Sequence, residues 1–214
     1  MTAARVGILG GTFDPVHIGH LVVADDAAAA LGLDEVWFVP AGQHPLKGAR
    51  VEAAAADRWA MVCAAIEGNP RFRALDAEIA RPGPSYSVDT VRMLRERHPD
   101  VAFFFLIGTD VAAELHKWKE PETLARLATL TVLSRGGERP RVEGSGCPVP
   151  CVTVEVTRVD ISSTEIRRRV REGRPYRYLV PEAAYRIIRE RGLYRPTRDL
   201  PAAAETRTPA RGAG

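Results

Sequence analysis

Short apolar runs alternate along this chain with longer segments in which apolar residues recur every three or four positions. The runs at residues 5–9, 35–39 and 101–107 are almost wholly apolar, which is typical of parallel strands buried on both faces. Residues 19–31 and 51–67 have the spacing that places apolar side chains on one face of a helix. The alternation predicts an α/β fold with a doubly wound parallel sheet.

The pattern continues towards the C-terminus with shorter elements. It predicts further strands at residues 72–79, 130–133 and 152–156 and further helices at residues 88–98, 121–127, 162–173 and 181–192. Residues 196–214 are rich in Pro, Ala, Thr and Arg and cannot bury a core, so a disordered tail is expected there. We therefore expect one domain over residues 1–195, in which about residues 161–195 form a small C-terminal helical part.

Composition and charge restrict the class of protein further. With 45% hydrophobic and 27% charged residues, the chain resembles an ordinary globular protein. It has no apolar run long enough for a membrane helix and no signal peptide, so a cytoplasmic location without a membrane partner is expected. Residues 158–214 hold 14 Arg against 7 Asp and Glu, which suits either phosphate-bearing ligands or a solvated arginine-rich face. Because neither interleaved aromatic residues nor a known reading helix is present, no nucleic acid is expected as a partner.

The residues after the first strand have the character of an anion-binding loop. Gly10 and Gly11 lack a Cβ, which lets the backbone turn sharply and approach a ligand. His17 and His20 share one face if a helix begins near His17, where free N–H groups and the helix dipole favour anions. The glycines match neither G-x-G-x-x-G nor a G-K-[ST] loop. Two histidines also allow a partial metal site, but no third ligand is evident.

A second candidate anion site begins at Ser162. Ser162 and Glu165 fit a capping box, which is a sufficient structural reason for both residues. Thr164 and Arg167 are three positions apart and so lie on one helical face, beside the free N–H groups of the helix start. A polyphosphate would be able to use hydroxyl, N–H and guanidinium groups at this place.

Together these segments resemble the signatures of the nucleotidyltransferase superfamily, H-x-G-H at residues 17–20 and I-S-x-T-x-x-R at residues 161–167. Within the superfamily, the chain most resembles the bacterial nicotinate-nucleotide adenylyltransferases. This narrower match rests on P-S-Y-S-V-D-T at residues 84–90, G-T-D at residues 108–110, Trp118, Lys47 and R-Y-L-V-P at residues 177–181. The similarity extends from residue 5 to about residue 195 and implies a Rossmann-like fold.

The resemblance implies transfer of AMP from ATP to nicotinate mononucleotide, which gives nicotinate adenine dinucleotide and pyrophosphate in NAD biosynthesis. No protein nucleophile is needed, because the phosphate of the acceptor attacks the α-phosphorus itself. Mg²⁺ is expected to bind with the ATP phosphates rather than at a dedicated protein site, and the three cysteines lack the spacing of a zinc site. Two alternatives are left open. The acceptor is another compound, such as nicotinamide mononucleotide or phosphopantetheine, or the protein is a non-catalytic nucleotide-binding regulatory module. A homo-oligomer is also left open.

The resemblance also implies residue roles. The implied catalytic residues are His17, His20, Lys47 and Arg167. The implied ATP-binding residues are Gly10, Gly11, Thr12, Phe13, His17, His20, Gly108, Asp110, Ile161, Ser162, Ser163, Thr164 and Arg167. Among these, Asp110 would bind a ribose hydroxyl. For the acceptor, Lys47 would add charge near the reacting phosphates, Trp118 would stack on the pyridine ring and the backbone near Ser87 would meet its carboxylate.

This sequence departs from the family pattern near the expected acceptor pocket. Ser87 stands where threonine is usual, and Thr109 stands where alanine is more usual. Residues 119–121 provide no match for the second aromatic that commonly follows Trp118 closely. These differences bear on the choice between nicotinate and nicotinamide more than on the type of reaction.

Overall fold

The computed structural model describes residues 3–43, 51–135 and 149–196. The strands in this part of the chain are β1 (Arg5–Gly11), β2 (Glu35–Pro40), β3 (Phe72–Ala74), β4 (Ala102–Gly108), β5 (Thr129–Ser134) and β6 (Val152–Glu155). The helices are α1 (Ile18–Leu31), α2 (Ala55–Ile66), α3 (Ser87–Arg97), α4 (Thr109–Ala112), α5 (Pro121–Leu127), α6 (Ser163–Arg171) and α7 (Glu182–Glu190). Short 3-10 turns are found at Leu115–Lys117 and Arg177–Leu179. The strands form one parallel sheet in the order β3-β2-β1-β4-β5-β6.

Successive strand residues point to opposite faces of the sheet and pack into two separate cores. Along β4, Phe103 and Phe105 belong to one core, whereas Phe104 and Leu106 belong to the other. The first core also contains residues of α3, α4 and α5, and the second contains residues of α1, α2, α6 and α7. Helices therefore cover both faces, which confirms the doubly wound parallel sheet predicted from the apolar pattern.

The sheet order creates a crevice at its centre. From β1 the chain continues through β2 to β3 on one side, and from β4 it continues through β5 to β6 on the other. The loops that leave the carboxyl ends of β1 and β4 therefore diverge. Open α/β sheets bind ligands at this point, and the glycine and histidine loop after β1 lies there.

Two elements are shorter than predicted. β3 has three residues and pairs with β2 at one edge of the sheet, and the chain then turns, with the Ala80 N–H donating to the carbonyl oxygen of Asp76 at 2.8 Å. The second helix begins at Ala55 rather than at residue 51, because the N–H groups of Glu52 and Ala53 donate to the carboxylate of Asp14. The other predicted elements agree with the structure to within about two residues at each end, and the short α4 has no predicted counterpart.

The predicted C-terminal helical part contains α6 and α7, and α7 packs against α2. Apart from Pro196, the predicted tail lies outside the described residues. None of the helices described for this chain has the length and apolar character that a membrane span requires.

Candidate active site

A cavity of about 290 Å³ lies at the carboxyl ends of the central strands. Its wall is formed by the ends of β1 and β4, by residues just after β2 and β5, and by the start of α3. The predicted site residues that line it are Gly10, Gly11, His20, Ser87, Gly108, Asp110 and Trp118. The fold thus brings predicted ATP-binding and acceptor-binding residues from distant parts of the chain to one cavity.

The two histidines of the first motif lie face to face at the start of α1. Their ring centroids are 3.7 Å apart and their planes differ by 28°, which confirms that they share one face of the helix. The Nδ1 atom of His20 accepts a hydrogen bond from the backbone N–H of His17 at 3.1 Å. Gly19 leaves room for the pair, since a Cβ on it would lie 3.1 Å from His17 Nδ1. His20 lines the cavity, whereas His17 is buried behind it.

His17 is held in its neutral form. Its side chain is 6% exposed, and burial, helped by the positive charge of Arg135, lowers its pKa to about 4. A neutral imidazole donates one N–H hydrogen bond to a phosphate oxygen but adds no positive charge. Its Nδ1 atom has no hydrogen-bond partner within the described part of the chain. Since His17 adds no positive charge at neutral pH, such charge at this site has to come from other side chains or from a bound cation.

Arg135 is one such side chain, and it was not identified from the sequence. It follows the carboxyl end of β5 and lines the cavity. A residue just after a strand at this edge of the sheet is a recognisable candidate.

Thr12 and Phe13 support the first loop rather than line the cavity. Phe13 is 2% exposed, and its ring meets that of His20 edge-on at a centroid distance of 5.0 Å. Its ring also packs so closely on Gly11 that a Cβ there would lie 3.2 Å away. The Thr12 hydroxyl is buried and has no hydrogen-bond partner among the described residues. Direct contacts of both residues with ATP stay predictions.

The second motif lies directly against the first. Ser163 Oγ donates a hydrogen bond to the carbonyl oxygen of Pro15 at 2.9 Å. Arg167 Nη1 donates to the carbonyl oxygen of Asp14 at 2.8 Å. These contacts join α6 to the loop after β1, so residues 161–167 adjoin the histidine pair without lining the cavity.

The predicted capping box at the start of α6 forms only in part. Ser162 Oγ accepts a hydrogen bond from the N–H of Glu165 at 3.2 Å, which confirms it as the N-cap. The Glu165 carboxylate does not complete the box. It pairs instead with Arg168 and Arg169, each at 2.8 Å. Thr164 is exposed at the helix start.

Arg167 is engaged by a carboxylate. Its Nε donates to Glu52 Oε1 at 2.8 Å, and Arg171 pairs with the same carboxylate. A triphosphate bound by Arg167 would compete with Glu52 for the guanidinium. The catalytic role of Arg167 stays a prediction, as does that of Lys47, which lies outside the described residues.

Two buried charged residues, Arg58 and Asp14, hold the first loop from behind, and neither was identified from the sequence. Arg58 donates to the carbonyl oxygens of Thr12 at 2.7 Å and Gly42 at 3.1 Å. Asp14 Oδ1 accepts a hydrogen bond from the Tyr194 hydroxyl at 2.8 Å. The loops after β1 and β2 are thereby tied to α2 and to the end of the helical part.

The end of the cavity at which Trp118 lies is lined by aromatic and basic side chains. Trp118 meets Phe105 edge-on, with ring centroids 6.0 Å apart. The Lys119 Nζ atom lies 4.9 Å from the ring centroid of Tyr86 and pairs with the Asp89 carboxylate at 2.9 Å. Lys119 therefore packs on an aromatic ring of the wall, and its charge is partly balanced by Asp89.

Asp110 lies in the first turn of α4, directly after β4. Its Oδ1 folds over Gly108, where a Cβ would approach it to 2.6 Å, so the glycine leaves room for the carboxylate. Thr109 Oγ1 donates to the carbonyl oxygen of Leu133 at 3.3 Å and is not part of the cavity wall. This departure from the family pattern therefore does not alter the pocket surface.

The chain matches the cytidylyltransferase-like family model over residues 8–169. The probable nicotinate-nucleotide adenylyltransferase of Halalkalibacterium halodurans is 45% identical over 206 residues, which cover 94% of this chain and 98% of the relative. The protein of the same name from Thermus thermophilus is 45% identical over 191 residues, covering 89% and 100%. This chain belongs to the nicotinate-nucleotide adenylyltransferase family.

Solved structures support the fold assignment. The Plasmodium falciparum nicotinic acid mononucleotide adenylyltransferase complexed with NaAD has a TM-score of 0.74 at 20% identity, covering 89% of this chain and 97% of that one. A putative nicotinate-nucleotide adenylyltransferase from Vibrio parahaemolyticus has a TM-score of 0.66 at 19% identity, covering 91% and 97%. The Rossmann-like fold expected from the resemblance is confirmed.

Proposed function

We propose that this enzyme transfers AMP from ATP to nicotinate mononucleotide, forming nicotinate adenine dinucleotide and pyrophosphate as a step of cytoplasmic NAD biosynthesis. The observation that supports the proposal most strongly is that the two signature motifs, at residues 17–20 and 161–167, lie next to each other in a chain of this family. Ser163 Oγ lies 2.9 Å from the carbonyl oxygen of Pro15, so the I-S-x-T-x-x-R segment adjoins the loop that leads into the H-x-G-H residues. A triphosphate between them would present its α-phosphorus to an acceptor in the cavity.

The reaction needs positioning more than covalent chemistry. An oxygen of the acceptor's phosphate attacks the α-phosphorus of ATP, and the bond to the leaving pyrophosphate breaks in line with the attack. The protein has to hold the two phosphates in contact and stabilise the charge that develops on the oxygens. His17 and His20 are proposed to donate hydrogen bonds to these oxygens, and Arg167 is proposed to hold the β and γ phosphates.

The remaining roles divide the cavity between the two substrates. Asp110 is proposed to accept a hydrogen bond from an ATP ribose hydroxyl, because its carboxylate lies at the carboxyl end of β4 in the cavity wall. Trp118 is proposed to stack on the pyridine ring, and the backbone at Ser87 is proposed to bind its carboxylate. Both residues line the same cavity, and Ser87 lies in the first turn of α3, at the end of a helix that favours a bound anion.

Mg²⁺ is proposed to enter with ATP. Across residues 3–43, 51–135 and 149–196, no three or more His, Cys, Asp or Glu side chains are grouped to hold a metal ion. The oxygens of the triphosphate are hard ligands of the kind that Mg²⁺ prefers, so the donor set fits a nucleotide-bound ion. When bound, the ion would neutralise part of the triphosphate charge.

The proposal is tested by measuring pyrophosphate release with ATP, Mg²⁺ and one acceptor at a time. Nicotinate mononucleotide, nicotinamide mononucleotide and phosphopantetheine are compared, and the dinucleotide product is identified by mass. We expect nicotinate mononucleotide to be the preferred acceptor. Preference for another acceptor would refute the assigned substrate, and tight ATP binding without pyrophosphate from any acceptor would refute the enzyme.

A histidine variant links the activity to this site. His20→Ala should lower kcat far more than it weakens binding of the mononucleotide, because its proposed partner is the charge developing at phosphorus. His98→Ala is a matched control, since His98 packs against Trp37 and is not part of the cavity wall. Equal kcat values for His20→Ala and the unmodified chain would remove His20 from the reaction.

A further inference from the structure

A buried carboxyl group at the acceptor end of the cavity has no part in the reaction described above. Glu78 is 7% exposed and lies in the segment between β3 and α3. It forms part of the cavity wall together with Ser85, Tyr86 and Ser87. A carboxyl group in such a position is costly unless its oxygens are hydrogen-bonded. Its partners therefore indicate what it does.

The Glu78 carboxylate faces two hydroxyl groups. Thr90 Oγ1 donates to Glu78 Oε1 at 2.8 Å, and the neighbouring Ser85 hydroxyl acts to lower the pKa of the carboxylate. Arg81 donates to the same Thr90 oxygen at 3.2 Å and contributes a nearby positive charge. Burial raises the pKa of Glu78, while these hydroxyls and Arg81 act in the opposite direction.

The hydrogen bonds of Ser85 connect Glu78 to the loop after β2 and to the segment that leads into α3. Ser85 Oγ accepts hydrogen bonds from the backbone N–H groups of Gly42 at 3.0 Å and Gln43 at 3.3 Å. With its lone pairs engaged in this way, the hydroxyl proton is left for an acceptor, and the neighbouring Glu78 carboxylate is suited to that role. The Ser85 N–H donates in turn to the carbonyl oxygen of Gln43 at 2.9 Å. The loop after β2 is thus locked to the segment that leads into α3.

Close backbone packing strengthens the same junction. A Cβ on Gly42 would lie 2.3 Å from the carbonyl oxygen of Glu78, so only glycine allows this approach. Glu78 therefore touches the loop after β2 directly through its backbone and indirectly through Ser85. Ala41 of the loop after β2 and residues 85–87 of the other segment line the same cavity.

We infer that Glu78 is a positioning residue of the acceptor site, whose carboxylate orients Ser85 and thereby fixes Tyr86 and Ser87 against the loop after β2. The inference rests on the proposed function, because it assigns this end of the cavity to the mononucleotide. Glu78 does not touch the reacting phosphates in this scheme. Its loss should weaken binding of the acceptor and leave the ATP side of the cavity unchanged.

The variant Glu78→Gln changes the hydrogen bonding of the side chain while keeping its size nearly unchanged. The amide has nearly the same volume, but it offers one acceptor oxygen instead of two and adds N–H donors opposite two hydroxyl donors. We expect KM for nicotinate mononucleotide to rise about ten-fold, while KM for ATP and kcat change by less than about three-fold. Glu96→Gln, at an exposed position on α3, is the matched control and should leave both KM values unchanged.

A double-mutant cycle tests whether Glu78 acts through Ser85. Ser85→Ala removes the hydroxyl that joins the carboxylate to the loop after β2, so it should reproduce the rise in acceptor KM. Combined with Glu78→Gln, it should add little, because both changes remove one connection. Ser85→Ala also tests the inference if Glu78→Gln does not fold.

Three results would overturn the inference: an unchanged acceptor KM, equal increases in both KM values, or fully additive effects in the cycle. These results differ from a failure of the proposed function. In that case the unmodified chain would release no pyrophosphate with nicotinate mononucleotide. Calorimetric binding of that mononucleotide to the unmodified and Glu78→Gln chains then decides the inference without turnover. Equal affinities, or no binding to either chain, would refute it.

Discussion

Acidification should destabilise the folded chain through His17. The imidazole is almost fully buried. Burial, and to a smaller extent the positive charge of Arg135, lowers its pKa from the ordinary 6.5 to about 4. The unfolded chain therefore binds a proton at this histidine as the pH falls below about 6.5, whereas the folded chain does not until the pH approaches 4. Stability that is fully present above pH 6.5 is lost progressively over this interval.

The size of the effect follows from the two pKa values. The difference between 6.5 and about 4 corresponds to about 3.4 kcal/mol, which is lost in full only well below pH 4. At pH 5 the unfolded state is nearly saturated with protons at this site and the folded state is not, so the loss relative to pH 7 is about 2 kcal/mol. This is a large part of the stability of an ordinary domain.

Urea unfolding at pH 7, 6 and 5 measures this loss of stability. Comparison with the variant His17→Gln separates the contribution of His17 from that of the carboxylates, which also titrate. The unmodified chain should lose about 2 kcal/mol more than His17→Gln between pH 7 and pH 5. His116→Gln replaces an exposed histidine and should retain the pH dependence of the unmodified chain. Equal losses for the unmodified chain and His17→Gln would refute the reasoning, as would an NMR titration in which His17 takes up its proton near pH 6.5.

The buried groups behind the first loop should be sensitive to substitution. Arg58→Met leaves the carbonyl oxygens that Arg58 now satisfies without a donor and should lower the free energy of unfolding by about 3 kcal/mol or more, measured in urea. Arg186→Met, at an exposed arginine, is its control and should change that free energy by less than about 0.5 kcal/mol. Tyr194→Phe removes only the hydroxyl that donates to Asp14 and should cost about 2 kcal/mol in the same assay. A Tyr194→Phe chain as stable as the original would show that the two backbone N–H donors suffice for Asp14.

The central strands and the histidine pair were predictable because each is determined by local pattern. β1 and β4 are buried on both faces and so read as unbroken apolar runs. The i, i+3 spacing of His17 and His20 is enough to place both rings on one helical face, where they stack. The N-cap role of Ser162 is equally local, since it depends on one hydroxyl and one N–H three residues later.

The supporting residues could not be predicted because their partners are distant in sequence. Helical spacing indicates a core face for α2 made of Trp59, Val62, Cys63 and Ile66. The structure buries Val62 and Ile66, but it leaves Trp59 and Cys63 partly exposed and buries Arg58 instead. Arg58 is buried because the loops after β1 and β2 bring carbonyl oxygens to it, and these loops meet only in the folded sheet. Glu78 escaped prediction for the same reason, since its donors lie on a loop and on a helix that follow it.

The neutral state of His17 determines how charge is distributed around the proposed phosphates. The transferred group and the leaving pyrophosphate carry negative charge that the site must balance in the transition state. His17 has no charge to contribute at neutral pH, whereas guanidinium groups stay charged over the whole physiological range. Under the proposed function, Arg135 in the cavity wall and Arg167 on α6 therefore provide positive charge, while the stacked imidazoles provide N–H donors held in place by the helix start. Within the H-x-G-H motif, His17 thus contributes the geometry of an N–H donor rather than charge, and the arginines add positive charge from outside the motif.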